Sequence, residues 1–288
     1  MTGRADVTPH GVAAPALAIL GSLVSVNAGA AWAKGLFPAV GSAGVVALRV
    51  GLSALILLVL VRPWRFTLRR ADIPNIVIYG VMLGAMNLFI YRSFERIPLG
   101  IAVAIEVTGP LAVVILSSRH ARDFVWVILA GAGLWLLLPT AASSAALDPV
   151  GIAYALAAAF CWAMYIVFGK RVSMLNGGQA VSWGLLAACV FVVPFGVTHA
   201  GGDLLAPAVL GGGLAVALLS SALPYTLEMT ALKRLPQRVF GILVSAGPAV
   251  AALAGFLLLG ERLTTVQWLA IGLVTLACAG AAATADRR

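Results

Sequence analysis

Three ionisable side chains stand inside otherwise apolar stretches of this 288-residue chain: Arg49, Glu106 and Glu228. Glu106 lies in IAVAIEVTGPLAVVIL (Ile101–Leu116). A charge at the centre of a bilayer-spanning helix costs about 2.5–3.5 kcal/mol on insertion scales, so such groups usually face a bundle interior or a watery cavity. Glu106 could meet an ammonium group or carry a proton; a structural hydrogen bond from a protonated carboxyl is the competing account. Arg49, one turn before Ser53, could meet a ligand carboxylate, pair with a carboxylate of the chain, or snorkel to the nearer face. Glu228 belongs to SSALPYTLEM (Ser220–Met229), where Ser221, Pro224, Tyr225 and Glu228 share a helix face at spacings of three and four. Pro224 has no N–H to donate and frees a carbonyl one turn earlier. A kinked helix with exposed carbonyl, hydroxyl and carboxylate groups suits a small zwitterion. The alternative is a packing kink, with Glu228 paired to Lys233 or Arg234.

Polar and adaptable residues nearby extend the candidate site. In YGVMLGAMNLFIYR (Tyr79–Arg92), Gly80, Gly84, Asn87 and Tyr91 share one face, and Tyr79, Met82 and Met86 an adjoining one. The Gly80-xxx-Gly84 pair reads as a close helix–helix contact. Asn87 and Tyr91 must satisfy polar atoms away from bulk water and read as cavity residues. Methionines suit a surface that accepts several side chains, though they also fill ordinary cores. Trp162 and Tyr165 share a face three residues apart, and Trp162 is too deep for an interfacial belt, so its N–H needs an internal partner or water. Asn27 faces the same way as Lys34. Cavity lining and interhelical hydrogen bonding are both open for these.

The elements that must position these groups are membrane helices. The chain is 62% hydrophobic and 10% charged, with mean hydropathy +1.05. An average soluble domain is about 45–50% apolar and about 25% charged. Ten apolar segments, 11–34, 42–61, 74–94, 99–118, 124–141, 149–169, 179–199, 206–231, 237–259 and 264–283, are read as spans. The small residues of AGAAWA would also fit a leader-cleavage site after the first of them, a reading that the repeat below disfavours.

The formal charge of +9 follows topology rather than nucleic-acid binding. With the N-terminus in the cytoplasm, one face receives Arg4, Arg62, Arg65, Arg69 and Arg70, then Arg119 and Arg122, Lys170 and Arg171, Lys233, Arg234 and Arg238, and Arg287 and Arg288. The opposite face receives Lys34, Arg92, Arg96 and Arg262. The positive-inside rule then places both termini in the cytoplasm. Trp64, Trp126 and Trp268 near span ends read as interfacial anchors. Cys161, Cys189 and Cys278 are odd in number and lie within spans, so neither a disulfide framework nor a metal site follows.

The two halves resemble each other. At an offset of 138 residues Arg96-Ile-Pro98 meets Arg234-Leu-Pro236, Gly109-Pro110 meets Gly247-Pro248, and Asp123 meets Glu261. Near the start of each half an offset of 136 pairs Lys34 with Lys170 and Gly41 with Gly177. Residues 1–146 and 147–288 are therefore read as two five-helix repeats. Five is odd, so the second repeat enters the membrane inverted, an arrangement common in secondary transporters, which hold substrate near the midplane. Pro110, Pro224 and Pro248 are the expected hinges. Glu106 and Glu228 correspond to Val244 and Ile90, so the duplication itself demands neither carboxylate.

ALKRLPQRVFGILVSAGPAVAALAGFLLLGERLT (Ala231–Thr264) and its weaker copy RIPLGIAVAIEVTGPLAVVIL (Arg96–Leu116) resemble the drug/metabolite transporter superfamily in its ten-helix EamA-type form. PYTLEMTALKRLP, GIAVAIEVTGPLAV and AWAKGLFPAVG are similar to its threonine/homoserine and aromatic amino-acid exporter branch. The resemblance spans essentially the whole chain. It implies an all-α polytopic fold with a central cavity, alternating access, and export of neutral amino acids across a bacterial inner membrane, with protons as a candidate coupling ion. A drug or small-metabolite exporter on the same fold is the second expectation.

Other classes fit poorly. His10, His120 and His199 lie in a tail, a loop and a helix end, so Ser53 lacks the base a serine hydrolase needs. No paired aspartates or metal-ligand histidines fall within the spans, and no cofactor or metal is expected. A channel would carry a filter or charged ring; single asymmetric carboxylates suit a carrier better.

Overall fold

The computed structural model describes residues 9–65, 69–116, 124–137, 147–172, 177–232, 234–235 and 237–285. Among them there is no strand. Twelve helices follow one another: α1 (Pro9–Val61), α2 (Ile73–Phe94), α3 (Leu99–Glu106), α4 (Thr108–Leu116), α5 (Phe124–Leu137), α6 (Pro149–Val172), α7 (Gly177–Ala200), α8 (Pro207–Ala217), α9 (Leu223–Leu232), α10 (Gln237–Val244), α11 (Gly247–Leu259) and α12 (Thr265–Ala285). Eight stretches are long and apolar enough to cross a bilayer, and Phe124–Leu137 and Pro207–Ser221 are shorter apolar helices. The chain is an all-α polytopic membrane protein.

The first two spans read from the sequence leave residues 35–41 between them. The backbone instead stays helical and turns at one residue, Gly41, with φ +64° and ψ 171°. That left-handed φ disfavours any side chain, and a Cβ there would also press on the His199 ring. The chain reverses direction at this residue. In the first leg Gly21 meets Leu227, Gly29 meets Ser220 and Leu36 meets Gly212; in the second, Leu48 meets Gly213 and Ser53 meets Ser221. Numbering thus falls along one leg and rises along the other beside the same partner segment.

Elsewhere the bundle is built by close backbone approach. A Cβ on Gly80 would strike the Gly184 carbonyl and Ala187, and one on Gly84 would crowd Val192 and Ala188, so the Gly80-xxx-Gly84 stripe is the α2–α7 contact face. α2 also packs on α6, α12 on α5, and α11 on α3.

Two spans are broken at matched places. α3 ends at Glu106 and α10 at Val244, 138 residues apart, and each chain resumes as α4 or α11 within three residues. Pro110 cannot donate to the Glu106 carbonyl, nor Pro248 to that of Val244. At the second break Ala246 N–H takes the Leu243 carbonyl at 3.1 Å, a tighter i→i−3 bond.

Candidate functional site

A cavity of about 430 Å³ opens between α1, α2, α6, α7 and α8. Its blind end is polar and sits beside an irregular turn. Leu218–Ala222, between α8 and α9, is a single π-helical turn. Such turns are rare and concentrate at functional sites. The cause is local: Pro224 has no N–H, so it can serve neither the Ser220 carbonyl in α register nor the Leu219 carbonyl in π register. Both freed carbonyls are met by α1. Ser25 Oγ donates to Leu219 O at 2.7 Å, and Arg49 Nη2 donates to Ser220 O at 3.3 Å.

Arg49 is held from behind by Tyr91. Its Nη1 donates to the Tyr91 hydroxyl at 2.9 Å, and the guanidinium carbon stands 5.5 Å from the ring centroid. Tyr91 is 1% exposed and is itself wedged against Phe37 and Phe94. Ser53 Oγ donates to Ser221 Oγ at 3.1 Å on the cavity wall. Asn87 Nδ2 donates to the Leu83 carbonyl one turn back, which leaves its oxygen without a partner among the described residues. The walls beyond are apolar: Leu57, Leu60, Leu83, Met86 and Leu185. Tyr79 and Tyr165 frame the mouth, stacked at 4.7 Å with their hydroxyls 3.1 Å apart. From Asn87 to Tyr79 the α2 wall runs about 12 Å at 1.5 Å per residue.

The mouth faces the basic end of the bundle. Leu60 on its rim is two residues from the exposed Arg62, and Tyr165 is a turn and a half from the exposed Lys170. The opposite end is shut. The Glu261 carboxylate joins three elements, accepting from Lys34 Nζ at 2.6 Å and from Leu99 N–H at 2.9 Å. Glu95 accepts from Ser42 N–H at 2.8 Å, and Gly44 and Gly196 bring α1 and α7 backbones together. Arg96 and Asp148 pair at 2.8 Å on the surface of this end. The hydrogen bond from Arg96 holds the Asp148 carboxyl below the usual carboxylate range.

Of the residues expected to line a cavity, Tyr79, Met86, Asn87, Tyr165 and Ser221 are on its wall. Others lie elsewhere. Asn27 is buried and donates to the Leu23 carbonyl of its own helix. Tyr91 stands behind Arg49. Met82 and Trp162 are half-buried and do not line the cavity. Glu228 accepts from Ser22 Oγ at 2.6 Å and has no cation within ion-pair distance among the described residues. Glu106 is 8% exposed, behind the wall rather than on it, with Arg49 as its charged neighbour. The side chain of Tyr225, like Lys233, lies outside the described residues.

Sequence reading missed the π turn, although Pro224 after Ser-Ser-Ala-Leu carries its signal. It also missed the Lys34–Glu261 contact, since nothing local ties residues 227 positions apart.

Comparison with known proteins places this architecture. The EamA-like transporter family matches residues 149–282. The threonine/homoserine exporter RhtA of Escherichia coli (strain K12) is 48% identical over 270 residues, covering 94% of this chain and 92% of its own. That of Salmonella typhimurium (strain LT2) is 47% identical over 273 residues, covering 95% and 92%. The uncharacterized inner membrane transporter YedA of Escherichia coli (strain K12) is 28% identical over 211 residues, covering 70% and 69%. A solved crystal structure with 19% identity superposes at a TM-score of 0.58 over 97% of this chain and 99% of that one, a likeness of fold alone. Eight spans and two shorter apolar helices among the described residues, two of the spans broken beside Gly-Pro, a polar-ended cavity and near-half identity over almost the whole length agree: the chain belongs to the EamA-like transporters of the drug/metabolite transporter superfamily, in the branch of the threonine/homoserine exporters.

Proposed function

We propose that this protein exports neutral amino acids, threonine and homoserine among them, across a bacterial inner membrane by alternating access. The cavity carries the reading: a blind end of hydroxyl, amide and guanidinium groups, and apolar walls that place no fixed charge against a side chain. Tyr79, Met86, Asn87, Tyr165 and Ser221 are its substrate-binding residues. Walls of Leu, Met and Tyr favour tolerance for methionine and aromatic side chains as well.

The basic face is cytoplasmic by the positive-inside rule, so the described conformation receives substrate from the cell interior. Residues 1–146 and 147–288 act as two inverted repeats, a division supported by the helix breaks 138 residues apart. Pro110, Pro224 and Pro248 provide the bending points. Glu106 is the group placed to carry a coupling proton: ionisable, buried, and next to the cavity without lining it.

Drug export on the same fold is the second reading, favoured by the apolar walls. Arg49 at the blind end counts against it, because a lipophilic cation would meet a like charge. Counterflow in proteoliposomes separates the two. Internal threonine should drive uptake of labelled threonine, competed by homoserine and methionine and not by tetraphenylphosphonium. Competition by the lipophilic cation alone would replace the amino-acid reading with the drug reading.

A further inference from the structure

An arginine within a membrane bundle is expected to have found a carboxylate. Arg49 has not. The ion pairs among the described residues are Lys34–Glu261, Arg92–Glu95 and Arg96–Asp148, and none involves it. Its hydrogen bonds go to two neutral acceptors, the Tyr91 hydroxyl and the Ser220 carbonyl. A guanidinium has five N–H donors arranged as a fork that fits a carboxylate with two parallel bonds.

We propose that Arg49 is the anchor for the substrate's α-carboxylate, and that the anion displaces the Ser220 carbonyl from the guanidinium. The proposal rests on the amino-acid reading above. The two existing bonds are unequal. That to Tyr91 is 2.9 Å and is reinforced by the ring beneath the guanidinium. That to Ser220 is 3.3 Å, longer than the usual N–H···O range of 2.7–3.2 Å. The first fixes the fork in place, which lowers the ordering cost of binding. The second is the one to exchange, and the carbonyl it releases faces a cavity in which water can replace the donor.

Placement agrees. Arg49 is on the cavity wall at its blind end, with Ser53 and Ser221 beside it. Glu106, the carboxylate whose charge interacts with Arg49, is not on the cavity wall and makes no ion pair with it among the described residues. A carboxylate arriving from the mouth therefore meets a fork without an ion-pair partner, with Asn87 lining the same cavity to accept from the ammonium group. The side chain is left pointing along Leu83, Met86 and Leu57 toward Tyr79. Recognition through the α-carboxylate, common to all amino acids, also accounts for tolerance at the side chain. The carbonyl Arg49 would release belongs to the π turn before Pro224, so substrate arrival would be felt at the hinge of the eighth span.

The test is competition in threonine counterflow by threoninamide, which keeps the ammonium and side chain and lacks the carboxylate. Wild type should bind threonine roughly tenfold or more better than the amide, the scale of a hydrogen bond to a charged group. Arg49→Gln should lose threonine affinity until the two compounds compete about equally. Arg49→Lys keeps the charge but not the fork and should fall between. A structural role would alter amounts of folded protein and leave this ratio unchanged. Equal competition by the amide in wild type, or an unchanged ratio in Arg49→Gln, overturns the anchor while leaving amino-acid export standing. If Arg49→Gln does not fold, the wild-type ratio and the Lys variant decide. Absence of any threonine counterflow in wild type sinks the amino-acid reading itself, and the anchor with it.

Discussion

Replacing Glu106 by Gln keeps its volume and hydrogen-bonding capacity while removing its charge and its titration. The side chain is buried and does not line the cavity in this conformation. Proton carriage remains, and it makes a distinctive demand. Net export driven by a proton gradient requires the carboxyl to load and release; exchange of substrate on both sides does not. Glu106→Gln should therefore retain threonine counterflow and lose uptake or efflux driven by an imposed pH difference. Equal loss of both would return Glu106 to a substrate contact made in another conformation. Retention of both would make it a structural hydrogen-bonding residue.

The helix breaks beside Pro110 and Pro248 carry the prediction at the scale of elements. Leucine at either position restores the missing N–H and allows α3 to run into α4, or α10 into α11, without interruption. Pro110→Leu and Pro248→Leu should each reduce transport several-fold more than they reduce the amount of inserted protein. Wild-type rates from a correctly inserted double variant would remove both breaks from the mechanism. Elements were the best-read level of the sequence, because hydrophobic length and Gly-Pro pairs are local signals. Spans such as 74–94 and 264–283 fall within about two residues of the helices Ile73–Phe94 and Thr265–Ala285. Residues 35–41 lie between the first two spans read from the sequence, but the turn itself is made at Gly41 by one backbone angle that composition does not record. The site was less legible. Periodicity shows which residues share a face, not which neighbour that face meets. Asn87 and Ser221 reached the cavity, whereas Asn27 turned back on its own helix and Tyr91 became the support for Arg49.

At the scale of the whole molecule, the proposed alternating access requires the shut end to open as the basic end closes. Two of the ion pairs at the shut end, Arg96–Asp148 and Lys34–Glu261, differ in weight. Arg96–Asp148 is exposed, and such pairs contribute little. Because Asp148 has a lowered pKa, its contribution is present above the ordinary carboxylate value and is lost only as pH falls through the lowered one. Near neutral pH it is a constant. Glu261 is different: its carboxylate is 14% exposed and joins Lys34 at the end of the first leg to the Leu99 N–H that opens α3. Glu261→Gln keeps an acceptor for Leu99 and removes the charge pairing. A loss of about 1.4 kcal/mol here would move a two-state ratio tenfold toward the outward-open form. Cysteines introduced into a background lacking Cys161, Cys189 and Cys278 report both ends. Ser42→Cys, fully buried at the shut end, should become more reactive to an impermeant thiol reagent from outside the cell. Leu57→Cys on the cavity wall should become less reactive from the cytoplasmic side. Gly202→Cys, exposed where a Cβ meets no neighbour, is the control for orientation and should react from outside in every variant. A rise at Ser42 without a fall at Leu57 would mean that Glu261 only tightens its own end. No change at either would show that the Lys34–Glu261 pair does not hold the bundle shut.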